Sequence, residues 1–112
     1  IIDVAWCENT ITRVSSRLDK MKQGDINNDL AQNAYYYLGD SYLNTDQKSA
    51  ALSAFRKASL MDFDESLDED AFLNYSKLSY EIGNPFEKVS NVLYDFLKKY
   101  PKNKSYKKRI HW

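Results

Sequence analysis

At 112 residues, with 43% hydrophobic and 29% charged positions and a mean hydropathy of −0.67, the chain can build one modest domain with a large wetted surface. Its 16 basic and 16 acidic residues cancel, and no apolar run approaches the ~20 residues that cross a bilayer. Only three glycines and two prolines are present, which excludes Gly-rich phosphate cradles and long loops, while nine tyrosines lead a 14% aromatic content suited to thin helical layers.

The chain opens Ile1-Ile2-Asp3, without Met and without the basic and apolar segments of a signal peptide, and so reads as a piece of a longer protein. Residues 12–21 place Val14, Leu18 and Met21 at i, i+4 and i+7, the period of a helix face, and Lys22-Gln23-Gly24-Asp25 ends it. Residues 1–9 read as the remnant of a separate, earlier helix, with Trp6 available to pack on the next one. Cys7 is the only cysteine, so no disulfide forms within the chain. It has no histidine partner and no basic residue on its turn, which makes it a small buried apolar residue rather than a nucleophile.

The central segment is the most regular. Residues 32–43 form a predicted helix with Tyr35, Leu38, Gly39 and Tyr42 at helical spacings, broken by the turn-prone run Asn44-Thr45-Asp46-Gln47. Residues 48–61 form the next, with Ala51, Phe55 and Ala58 on one face. Gly39 has a steric rationale: a side chain there would push away the antiparallel partner helix, and its flexibility costs roughly 1 kcal/mol against Ala.

Asp62, Asp64, Glu65, Asp68, Glu69 and Asp70 then read as an acidic linker with solvated, helix-capping carboxylates. A second unit follows. Residues 71–82 carry Phe72, Tyr75 and Leu78 inward, with Ser76 standing where Gly39 stood, and Gly83-Asn84-Pro85 stops the helix. Residues 86–100 carry Val89, Leu93 and Phe96 on the core face and end at Tyr100-Pro101. The C-terminal stretch holds Lys98, Lys99, Lys102, Lys104, Lys107, Lys108 and Arg109 without an acid, a solvated end with the only histidine, His111, beside its terminus. Metal sites of the His/Cys type and His-dependent triads are thereby excluded, and no cofactor is implied.

The Ala34–Ala58 segment, with its small residues at helix crossings, resembles a tetratricopeptide repeat, a helix–turn–helix unit of ~34 residues. The resemblance covers residues 32–65 and 69–102 as two repeats and residues 1–31 as a partial, degenerate one. Residues 103–112 are a tail or the start of a further helix. It departs from the family in a longer spacing between the two units and in Ser76 for the expected Gly or Ala. The fold it implies is all-α: antiparallel helix-turn-helix repeats in one domain, stacked as a right-handed superhelix. Each hairpin leaves an apolar face for its neighbour, so exposed terminal faces imply self-association or docking to flanking segments.

The family's spacing implies a concave surface lined by Asn33, Tyr36, Tyr37, Asp40 and Asn44 in the first full repeat, and by Asp70, Leu73, Asn74, Lys77, Tyr80 and Glu81 in the second. Such a surface suits an extended or helical peptide held by hydrogen bonds and ring contacts. It differs from the carboxylate-clamp subset of the family, because Tyr36 and Asp40 stand where that subset has Lys and Asn. The expected role is a non-catalytic protein-interaction scaffold. Asp40 with Glu81, or Asp68 with Glu69, could be paired as acid and base, but nothing beside them supports a reaction. Asn74-Tyr75-Ser76 matches a glycosylation sequon but falls within a predicted helix.

The run Phe96-Leu97-Lys98-Lys99-Tyr100-Pro101 resembles repeat endings of bacterial cell-envelope proteins, outer-membrane assembly lipoproteins and Tol-Pal-associated factors among them. The richness in Asn, Lys, Tyr and Asp fits tetratricopeptide proteins of the Bacteroides group. This implies a periplasmic or outer-membrane-associated location, with membrane attachment only through flanking segments; a cytoplasmic location is the alternative. The rival functions are a regulatory or nucleic-acid-binding helical repeat using the basic tail, and an accessory module of an enzyme complex.

Overall fold

The structure is a computed structural model and describes residues 4–20 and 29–103. Among these the chain is all-α, with five helices and no strand: α1 Val4–Lys20, α2 Asp29–Asn44, α3 Lys48–Ser59, α4 Glu65–Ile82 and α5 Val89–Lys99. Each helix packs on the next in chain order, and α2 also touches α4 past the intervening α3.

Helix α1 runs unbroken where a remnant helix and a second one were expected. Cys7, Ile11, Val14 and Leu18 follow i, i+4, i+7 and i+11; Cys7 and Leu18 are buried, and Ile11 and Val14 pack partly buried against the core. Within α1, Thr10 Oγ1 bonds the Trp6 carbonyl at 2.8 Å and Thr12 Oγ1 that of Glu8 at 3.1 Å, each four residues back along the same helix. Met21 and the Gly24 stop lie outside the described residues, as do residues 104–112 of the basic tail.

Helices α2 and α3 form a hairpin through a three-residue turn. The Thr45 amide bonds the Ser41 carbonyl at 3.1 Å and the Gln47 amide that of Tyr42 at 2.8 Å, while Asp46 takes φ 61°, a conformation aspartate tolerates. Gly39 lies against Phe55: a Cβ at that position would stand 3.0 Å from the ring, so the helices cross where the glycine leaves room. Phe55 anchors a core of Leu18, Ala31, Tyr35, Leu38, Ala51, Leu52, Ala58, Ala71, Tyr75, Leu78 and Val92, drawn from every helix.

Only the start of the acidic run is a linker, with Asp62 in the α3–α4 connection. Asp64 caps α4 by accepting from the Leu67 amide at 3.1 Å, and Glu65, Asp68, Glu69 and Asp70 lie inside the helix, where early carboxylates suit its dipole. The short α3–α4 connection is held by Gln32, which is fully buried. Its Nε2 donates to the carbonyls of Ala58, at 3.0 Å, and Met61, and its Oε1 accepts the Asp64 amide at 3.0 Å.

Asp68, expected to be solvated, is 1% exposed. Its Oδ2 accepts the Tyr100 hydroxyl and, at 2.8 Å, the Lys99 ammonium, so the start of α4 is latched to the end of α5. Beside the latch, Leu73, Phe96 and Tyr100 form a second buried cluster with Phe72, whose ring meets that of Phe96 edge-on at 5.4 Å.

Helix α5 begins at Val89, three residues later than expected. After Gly83 turns the chain at φ 86°, Asn84 Oδ1 takes the Phe86 and Glu87 amides at 2.7 and 3.1 Å, and its Nδ2 donates to Tyr75 and Ser79 hydroxyls. That side-chain turn holds residues 85–88 out of the helix. The buried face is consequently Val92 and Phe96, with Val89 and Leu93 only half-buried.

Candidate functional site

The direct contact between α2 and α4 brings two of the sequence-selected positions together. The Tyr36 hydroxyl, on α2, donates to Asp70 Oδ2, on α4. The Tyr36 ring stacks edge-on with Tyr37 at 5.7 Å and with Phe55 at 5.8 Å, so it joins the face to the core beneath it. Around this contact is a cavity of about 310 Å³, bordered by Tyr36, Asp64, Leu67, Glu69, Asp70 and Asn103.

The other selected residues divide by environment. Tyr37 and Tyr80 are exposed, at 53% and 56%. Asn33, Asp40 and Lys77 are half-buried. Asn44 and Asn74 each bond the carbonyl four residues earlier on their own helix, those of Asp40 at 2.8 Å and Asp70 at 3.0 Å. Glu81 pairs with Lys48 at the start of α3, an exposed ion pair of little energetic weight. Along α4, Asp70, Asn74, Lys77 and Glu81 repeat at i, i+4, i+7 and i+11 and therefore share one face. Leu73 does not belong to it: Phe96 and Tyr100 pack over its side chain in the second cluster.

Sequence reasoning missed Asp64, Ser66, Leu67, Glu69 and Asn103 at this cavity, because a run of acids reads as connection rather than helix. The charge balance here is acidic, with Asp64, Glu69 and Asp70 on the cavity wall and Asp40 close enough to act on Tyr36. Asp68, which the sequence allowed as one half of an acid–base pair with Glu69 without supporting it, is bonded to Tyr100 and Lys99. Cys7 is buried, as its small apolar character suggests. No group of three or more His, Cys, Asp or Glu is disposed to hold a metal among the described residues, and none of their helices is long and apolar enough to cross a membrane.

Two phenols carry a pH signature. Burial first, and then the hydrogen-bonded carboxylate of Asp70, holds the Tyr36 hydroxyl well above its ordinary 10.0; burial and Asp68 do the same for Tyr100. Folded, both keep protons that the unfolded chain releases above pH about 10, so the unfolded state binds fewer protons there. Their contribution to stability is complete below that pH and is lost as pH rises through the alkaline range. Urea midpoints measured from neutral pH into that range will fall, and Tyr36→Phe and Tyr100→Phe will each flatten the slope. A slope unchanged in both variants would show that neither phenol is responsible.

Comparison with protein-family models, with curated proteins and with solved structures gives no match.

Proposed function

We propose that the chain is a tetratricopeptide-type interaction module that holds a segment of a partner protein along the face shared by α2 and α4. The observation that carries this reading is the meeting of Tyr36 and Asp70 across the two helices, beside a polar cavity. The Gly39–Phe55 crossing and the direct α2–α4 contact support the repeat architecture, in which the first helices of successive hairpins lie side by side. Exposed Tyr37 and Tyr80 supply amphipathic anchors of low conformational entropy. The carboxylates of Asp64, Glu69, Asp70 and Asp40 favour a peptide whose Lys or Arg enters the cavity and repel an acidic one.

An immobilised peptide array that varies the charge of one central residue tests this. Lys- and Arg-bearing peptides will be retained over Asp- and Glu-bearing ones. Tyr37→Ala and Glu69→Gln, which alter exposed or rim groups, will each weaken the best peptide by about tenfold, or ~1.4 kcal/mol. Retention that ignores peptide charge, or that both variants share with the parent, sinks the proposal.

A further inference from the structure

A second cavity lies away from the α2–α4 face, between α3, α4 and α5. It holds about 290 Å³ and is bordered by Arg56, Phe72, Tyr75, Glu87, Val92 and Asp95, with Lys99 and Leu60 at its edge. Its apolar wall is Phe72 and Val92, the latter buried to 1% exposure.

The polar groups of this cavity are mostly committed within the protein. The Tyr75 hydroxyl donates to Glu87 Oε2 at 2.7 Å and accepts from Asn84 Nδ2 at 2.8 Å. The Lys99 ammonium bonds Asp68 at 2.8 Å, and the Ser59 hydroxyl bonds the Arg56 carbonyl at 2.8 Å. Two groups of opposite character are left. Arg56 stacks its guanidinium over the Phe86 ring at 4.5 Å, and its Nε–H is buried where the protein supplies no acceptor. Asp95 presents an exposed carboxylate on α5, and neither ion pair among the described residues involves it.

A buried guanidinium N–H without an acceptor is unfavourable, and an anionic oxygen is the group that meets it best. A simple anion would be repelled by Glu87 and Asp95 on the same wall. A ligand with a carboxylate for Arg56 and an ammonium for Asp95 answers both, and an apolar group branching from the carbon that carries them would cover Phe72 and Val92. We propose that this cavity binds a free α-amino acid with a large apolar side chain. The cavity volume sits near the lower end of small-molecule sites, consistent with a ligand of that size. The inference is independent of peptide binding on the α2–α4 face, since the two cavities have no lining residue in common.

The test is a titration of the full 112-residue chain, followed by amide NMR shifts. The probes are L-phenylalanine, phenylpropionate, which lacks the ammonium, and phenethylamine, which lacks the carboxylate. Phenylalanine will shift the signals of Arg56, Phe72 and Val92 saturably, with a Kd at or below ~1 mM, and each analogue will bind about tenfold or more weakly. Asp95→Asn, at an exposed position, will reduce the preference for phenylalanine over phenylpropionate, with Glu87 left as the remaining carboxylate on that wall. Arg56→Lys keeps the charge and removes the Nε–H; it will weaken phenylalanine and phenylpropionate alike. Absence of saturable shifts, equal binding of all three probes, or full affinity in Arg56→Lys overturns the proposal.

Discussion

Gln32→Leu lowers the free energy of unfolding by about 3 kcal/mol, seen as a fall in the urea midpoint without change in slope. The leucine matches the glutamine in bulk, so the loss is of bonds rather than of packing. The Met61 carbonyl and the Asp64 amide lose their side-chain partner where α3 stops and α4 starts, and the Ala58 carbonyl is left to backbone donors such as the Met61 amide, at 3.3 Å. Water replaces these partners poorly, because the site is closed over a side chain with no exposed surface. Gln32→Glu sharpens the point: it keeps the size and one acceptor but turns an oxygen toward two carbonyls, and is expected to be at least as damaging. A loss below about 1 kcal/mol in Gln32→Leu would mean that the connection is held by other contacts.

Phe55→Ala costs about 4 kcal/mol, the transfer of a buried ring plus the cavity it leaves. The ring is 1% exposed, lies against Gly39 and meets the edge of Tyr36, so it fills the crossing of α2 with α3 from below. The hole cannot close fully, because the same two helices are held apart by the surrounding core residues. The glycine supplies an internal control. In the parent, Gly39→Ala sets a methyl 3.0 Å from the ring, and the strain opposes a helix-propensity gain of about 1 kcal/mol. In the Phe55→Ala background the ring is gone, and the same substitution becomes stabilising. Identical effects in the two backgrounds would show that Gly39 and Phe55 are not coupled.

The α2–α3 hairpin was legible because its determinants are local: apolar spacing, a turn-forming run and one glycine. The predicted 32–43 and 48–61 segments differ from α2 and α3 only at their ends. What was not legible came from groups that meet across long sequence separations. Gln32 looks like any polar residue early in a helix, and its burial follows only from where α3 ends, at Ser59, and the chain turns toward α4. Asp68 sits in a stretch whose charge argues for solvent, and only the arrival of Lys99 and Tyr100 makes its burial tolerable. The same limit applied to function. Tyr36 and Asp70 could each be assigned to a face through the repeat resemblance, but their bond, the acids around it and the separate Arg56 cavity depend on how helices meet. The late start of α5 had a readable cause in Asn84, whose habit of capping its own turn competes with helix continuation.

The latch on Asp68 sets an order of opening within the domain. Helix α5 rests chiefly on α4, while α2 and α3 share a core to which four helices contribute most of the side chains. A fluctuation that frees Asp68 from Tyr100 and Lys99 and parts the Leu73–Phe96 cluster releases α5 as a unit, and of the core around Phe55 it withdraws only Val92. Proteases and exchanging solvent would therefore reach the α5 backbone through a sub-global excursion, well before the chain as a whole unfolds. One carboxylate near the start of α4 thus acts as a clasp on how long the last helix stays closed.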